Sequence, residues 1–390
     1  MITYVIPTRN RPERLADTLW ALGALRGHAA SLGAEIIVVD NASDHPPTVE
    51  GPLDNGIPVR LIVRTENEGA ASRNIAVREA NPRSEWVVML DDDSFPLDTG
   101  FLHRLASAPP DVAAVSADIL LPHTGRREMG GLPAVFVGCG VAIRRSVYLE
   151  LGGYDRAFNY YVEEYDLAAR MLMAGYRVQF DRWFRVEHHT TNTGRDMNTI
   201  LARLVRNNGW IIRRYAPSHR RDACWSDLTA RYRQIAQTEN AMPGFERGLS
   251  ELESTIDDQP RSPMTDEQFD RFIGLAQARQ AIDAAINEHT LKTAAIVDEG
   301  KHAWVVRQAM RELGLDEVPL QEHPGALVVG TMSPGPMLDA AERRAATAAP
   351  GSPPVVVPWR VIADQLHTRP DHLLTGGSQT QDPSATRISA

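Results

Sequence analysis

Trp86-Val87-Val88-Met89-Leu90 runs directly into Asp91-Asp92-Asp93-Ser94. An apolar run of that length, bounded by polar residues, reads as a strand buried on both faces. Such a strand belongs inside a sheet covered by helices on both sides. Residues 2–6, 35–40 and 59–63 repeat the pattern, and the second of these also ends in a carboxylate, Asp40. Between them, residues 13–25 carry Leu15, Leu19 and Leu22 at helical spacing, and Asn67-Glu68-Gly69 leads into a helix holding Arg73 and Asn74. Strands alternating with helices make βαβ units and a largely parallel sheet. Right-handed crossovers gather Asp40 and the triple Asp on one sheet edge. In open α/β sheets that edge is where ligands bind.

Farther along, the alternation loosens. Residues 112–121 hold one or two strands, and 135–144 form an extended run containing Gly138-Cys139-Gly140. A short helix over 146–151 stops at Gly152-Gly153. Glu163-Glu164-Tyr165-Asp166 opens a helix that ends at Gly175, followed by strands over 176–180 and 186–189 and a helix over 196–215. Residues 242–264 are polar and proline-punctuated, as a connector is. Thr265 and Gln268 make a capping box for one long helix over 265–291. A second, smaller α/β pattern then occupies 294–357. The expected organisation is an α/β domain over 1–215, a helical connector over 216–291, a small α/β domain over 292–370, and a disordered Ser/Thr/Gly-rich tail over 371–390.

Composition removes several classes of function. The net charge of −9 gives bulk electrostatics no role in nucleic-acid binding. Two cysteines, Cys139 and Cys224, make no disulfide framework and fit a reducing, cytoplasmic setting. The first residues lack the charged-then-apolar build of a signal peptide. No apolar run approaches the roughly 20 residues of an integral membrane segment.

Three adjacent carboxylates repel one another unless a cation sits among them. Asp91, Asp92 and Asp93 therefore suggest an oxygen-preferring metal, Mn²⁺ or Mg²⁺, shared with phosphate. The alternative is a solvated turn that caps the next element.

Six segments in order resemble the family 2 glycosyltransferases of the GT-A fold: residues 5–11, 38–43, 67–74, 90–93, 144–155 and 163–167. The resemblance covers residues 1 to about 215. It implies a Rossmann-like, mostly parallel mixed sheet and an inverting transfer from a nucleoside-diphosphate sugar to a small-molecule, carrier-bound or glycan acceptor. It also implies roles. Asp93 leads the metal set, with Asp91 on the metal or ribose and His188 completing the site. Asp40 accepts the uracil imide N–H, and Pro7, Thr8, Arg11, Arg73, Asp91 and Asp92 contact the donor nucleotide. The family pairs Glu with Asp where this chain has Glu163-Glu164, so the base lies among Glu163, Glu164 and Asp166, with Glu164 first. A non-catalytic sugar-nucleotide sensor is the competing reading. The loop Asp298-Glu299-Gly300-Lys301-His302 lacks a phosphate-binding glycine signature. The C-terminal segment is thus expected to dock, to build a homo-oligomer, or to present an acceptor.

Overall fold

Tyr4 and Ile6 lie on one face of the first strand and Val5 on the other, and each face meets its own core. In the computed structural model, which describes residues 1–28, 33–190 and 196–367, that strand is β1 (Ile2–Thr8). It is followed by β2 (Ala34–Asp40), β3 (Val59–Val63), β4 (Trp86–Met89) and β5 (Ser94–Pro96). Then come β6 (Val112–Leu121), β7 (Arg126–Arg127), β8 (Val141–Arg144) and β9 (Arg177–His188). The order across the sheet is β3-β2-β1-β4-β8-β6-β9-β5, with β7 beside β6. The first four are parallel, and β8 runs antiparallel to both its neighbours. The expected mostly parallel, mixed α/β sheet is therefore present. The chain leaves β1 on one side toward β2 and returns on the other as β4. That reversal opens a crevice beyond Thr8 and Met89.

Helix Pro12–Ala24 starts on a proline, whose missing N–H costs a first turn nothing. Its Leu15, Leu19 and Leu22 cover the Tyr4 face. Under it the Tyr4 hydroxyl meets His28 Nε2 at 2.5 Å. Burial lowers the His28 pKa to about 4. The unfolded histidine, near 6.5, binds more protons in between, so stability falls as pH drops from about 6.5 through 4. His28→Gln keeps an acceptor for Tyr4 and cannot charge. Its urea midpoint is expected to fall less than that of wild type across this window; parallel losses in the two proteins contradict a buried neutral His28.

Two segments differ from the pattern in the sequence. Residues 177–188 form one strand, not two, shifted against β6 between Ala117 and Asp118. Residues 242–264, polar and proline-punctuated in sequence, contain a helix, Met242–Thr255, with Phe245 and Leu252 buried. Its polar outer face hid it, and glycines set its packing on helix Met197–Tyr215. A Cβ at Gly244 would stand 2.3 Å from the Asn198 carbonyl oxygen, and one at Gly248 2.7 Å from that of Ala202. The capping box of Thr265 and Gln268 is present, but the helix it opens ends at Ile273. Gly274, at φ +91°, turns the chain into a second helix, Leu275–His289.

The C-terminal sheet comprises β10 (Thr293–Val297), β11 (Asp316–Glu317), β12 (Ala326–Val329) and β13 (Val355–Val356), all parallel, in the order β11-β10-β12-β13. Its Val305, Val328, Met332 and Leu338 join the core on the Val5 face of the large sheet. Polar contacts reinforce the junction. Arg127 binds Asp118 at 2.7 Å in its own sheet, and Asp339 at 2.8 Å and Glu342 at 2.7 Å across the boundary. The expected tail, 371–390, lies outside the described residues. Among the described residues no helix is long and apolar enough to cross a membrane.

Candidate active site

The crevice beyond β1 and β4 gathers the acidic run and the loop after β1. Thr8 Oγ1 donates to Asp92 at 2.7 Å, and Arg11 donates to Asp92 at 2.6 Å and Asp93 at 2.5 Å. Both oxygens of Asp92 are thereby used. Burial raises its pKa to about 7 against the pull of Arg11 and Thr8. Thr8, Arg11 and Asp92 thus form an internal brace that fixes the loop, and Asp92 offers no free oxygen to a nucleotide. Pro7 lies within β1, half-buried. Asp40 ends β2 with one oxygen accepting from the Ser43 amide at 3.2 Å and from the Ser43 hydroxyl. Its other oxygen is buried without a hydrogen-bond partner. An orphaned buried acceptor costs free energy unless a ligand donor meets it.

Asp91 turns the other way. Its carboxylate is 36% exposed and pairs with buried Arg73, which also donates to the Leu90 carbonyl at 3.2 Å. Strand pairing then delivers the histidine: β5 runs antiparallel to β9, setting Ser94 opposite His188. His188 Nε2 stands 3.4 Å from Asp93 Oδ1, an oxygen with no hydrogen-bond partner. His188 Nδ1 is 3.0 Å from Glu128 and 3.5 Å from Cys139 Sγ. Burial opposes the imidazolium, but Cys139, Asp93 and Glu128 outweigh it and hold the His188 pKa above the ordinary range.

Asp91, Cys139 and His188 each present a donor atom, all within 4.8 Å of one another. Carboxylate plus imidazole suits Mn²⁺, whereas thiolate suits softer ions. Burial pushes the Cys139 thiol up to about 11. The donor set therefore fits a hard or borderline divalent ion on Asp91 and His188, with the unpartnered oxygen of Asp93 beside it.

Asp91, Arg73 and His188 line a cavity of about 500 Å³ whose other walls include Glu163 and Glu164. Tyr161 and Val162 adopt positive φ, 71° and 76°, a backward turn that starts helix Glu163–Met173 with both glutamates in its first turn. Glu164 Oε1 accepts from the Gly138 amide at 3.2 Å. A Cβ at Gly138 would stand 2.9 Å from that oxygen, so glycine permits the approach. Glu163 Oε2 is buried without a hydrogen-bond partner. Burial holds both glutamates above the ordinary carboxylate range, Glu163 the further, with the Glu164 charge next in line. Asp166 does not join them. It accepts from Arg170 at 2.6 Å, Arg214 at 2.8 Å and Tyr215 at 2.6 Å, and it is 1% exposed. Its three donors make it a brace, which removes it from the candidate bases.

Four residues at this cavity had no signal in the sequence: Glu128, Arg231, Lys301 and His302. Glu128 follows β7, and the last two come from the C-terminal domain. Only the folded chain brings them together, across 60 residues from Glu128 to His188 and 137 from Glu164 to Lys301.

The chain is 24% identical over 231 residues to "O-antigen biosynthesis protein RfbC" of Myxococcus xanthus; the match takes in 50% of this chain and 18% of that protein. Among solved structures it is similar to the mannosyltransferase PcManGT of Pyrobaculum calidifontis, in complex with GDP-Man and Mn²⁺ (TM-score 0.44, 18% identity, 74% of this chain and 80% of that one). It is also similar to GalNAc-T7 with UDP, GalNAc and Mn²⁺ (TM-score 0.47, 16% identity, 68% and 59%). The family model described as "Glycosyl transferase family 2" matches residues 3–118, the stretch that holds β1 to β4, Asp40 and the acidic run. Residues 3–118 of this chain are therefore similar to glycosyl transferase family 2.

Proposed function

We propose that the chain transfers a sugar from a nucleoside-diphosphate sugar, with uracil as the base, to an acceptor hydroxyl or amine with inversion. The observation that carries this reading is the single cavity shared by Asp91, Arg73, His188, Glu163 and Glu164. A corner suited to an anion and a pair of carboxylates share the lining of one space. The unpartnered oxygen of Asp40 suits the imide N–H of uracil. Asp91, His188 and Asp93 would hold Mn²⁺ or Mg²⁺, which supplies charge stabilisation to the departing diphosphate. Glu164, with one oxygen oriented by Gly138, takes the acceptor proton as the acceptor oxygen attacks the anomeric carbon. The bond from that carbon to the diphosphate oxygen breaks on the opposite face, and configuration inverts. Glu163, deeper and pushed further above the ordinary carboxylate range by burial, shapes the floor beneath it.

A thermal-shift titration of the full chain with UDP-sugars and GDP-sugars, with Mn²⁺ or EDTA, tests this reading. A UDP-sugar at 100 times its Kd is expected to add about 2.7 kcal/mol of stability, with Mn²⁺ present. Equal stabilisation by GDP-sugars, or no change on adding EDTA, removes the donor assignment. Binding without donor hydrolysis or transfer turns the reading to a sugar-nucleotide sensor.

A further inference from the structure

Arginines around the cavity are paired wherever the site needs them neutralised: Arg73 with Asp91, Arg11 with Asp92 and Asp93, Arg214 with Asp166. Two cations on the wall away from Asp40 differ. Lys301, on the loop of the C-terminal domain, has its ammonium 4.8 Å above the Tyr165 ring and no ion pair within the described residues. Arg231, on helix Arg221–Thr238, lies 5.6 Å from the Tyr232 ring and likewise has no ion pair there. The acids of the Lys301 loop do not serve it. Asp298 is held by Arg343 and Arg344, and Glu299 by Arg307. His302, at φ 60°, is fixed through Nδ1 to the Ile273 carbonyl at 3.0 Å, which anchors the loop against the helix before Gly274.

A chamber of about 80 Å³ adjoins this wall, lined by Tyr165, Arg231, Phe269, Phe272, His302 and Trp304. Two buried donors there, the Tyr165 hydroxyl and Trp304 Nε1, have no hydrogen-bond partner. Two cations without an ion pair among the described residues and two buried donors without a hydrogen-bond partner thus share contiguous walls, and buried donors without acceptors are costly. We propose that the acceptor carries an anionic group, a carboxylate or a phosphate, that is bound by Lys301 and Arg231 at the mouth of this chamber. The inference rests on reading the cavity as a sugar-transfer site, and it gives the C-terminal domain a function: it selects the acceptor by charge. Burial, reinforced by Arg231, brings the Lys301 ammonium down to about 7, and a bound anion reverses that shift. Thr8, Arg11 and Asp40 do not line the cavity that Lys301 and Arg231 line.

Calorimetric titration of the full chain with matched pairs tests this: glucuronate against its methyl ester, and glucose 6-phosphate against glucose. At least one charged member is expected to bind ten times or more tightly than its neutral partner, and the arm that does so names carboxylate or phosphate. Lys301→Met and Arg231→Met are each expected to bring that ratio to within twofold of one, while UDP affinity with Mn²⁺ stays within twofold of wild type. Lys301→Arg keeps the charge and is expected to retain the discrimination, which covers the case of a poorly folded Met variant. Equal or absent binding of charged and neutral members by wild type overturns the proposal. So does a loss of UDP affinity in the variants with the discrimination intact, since the cations would then serve the donor diphosphate. Charge discrimination in a chain that turns over no UDP-sugar counts against the sugar-transfer reading and leaves the anion site standing.

Discussion

Glu164→Gln is expected to keep UDP-sugar affinity and to lose transfer by about 10²–10⁴-fold, the usual effect of deleting a general base. The amide keeps the size of the side chain and an acceptor for the Gly138 amide, so the helix start is undisturbed. Burial raises the Glu164 pKa, and a base must be deprotonated to act. The acid limb of kcat against pH is therefore expected above the ordinary glutamate range, with rate falling as pH drops through it. Glu163→Gln is expected to cost less, because that carboxyl is deeper and burial favours its neutral form more strongly. Near-normal turnover by Glu164→Gln with an inactive Glu163→Gln moves the base by one residue. Asp166→Asn is a different kind of change. It weakens the bracing of Arg170, Arg214 and Tyr215 and is expected to lower stability before it lowers chemistry.

Asp91→Asn is expected to abolish Mn²⁺-dependent UDP binding and to lower kcat by about 10²–10³-fold. Asn can still accept from Arg73, so the buried guanidinium is not stranded. Asp93→Ala is a less clean probe. Asp93 is 6% exposed and binds both Arg11 and His188, so its loss costs folding stability as well as metal affinity. Asp92→Asn supplies the contrast. Its oxygens are committed to Thr8 and Arg11, and the variant is expected to bind UDP with the Mn²⁺ dependence of wild type. The measurement is UDP affinity across a Mn²⁺ titration. An Asp91→Asn protein that matches wild type, or an Asp92→Asn protein that loses the dependence, puts the ion on the wrong carboxylate.

Period and punctuation made much of the fold legible. The runs at 2–6, 35–40, 59–63 and 86–90 became four parallel strands; continuous burial leaves the inner three little choice of partner, while the half-exposed run at 59–63 takes the sheet edge. The helix over 242–255 was missed because Pro243 and two glycines interrupt its pattern and its packing rests on those glycines, which carry no apolar signal. At the site, residues local to a strand end were readable: Asp40, Asp91 and the glutamate pair at a helix start. The direction a carboxylate faces was not readable. Asp91, Asp92 and Asp93 are consecutive, yet one lines the cavity, one braces a loop and one faces a histidine. Backbone geometry and partners from other segments decide which is which. Lys301 and Arg231 belong to that second class, since nothing within their own neighbourhoods announces the cavity they reach.

The Arg127 cluster bears on how such a chain can be recombined. A segment boundary near residue 292 looks like a natural splice point, since a new α/β pattern starts there. A chimera joined at that point keeps Asp118 and Arg127 but exchanges Asp339 and Glu342 for whatever the donor segment offers. If that segment lacks matching acids, a largely buried guanidinium loses two of its three carboxylates at the seam. The modules are thus separable in the gene and interlocked in the protein, and a transplanted C-terminal segment has to bring its half of the ion cluster with it.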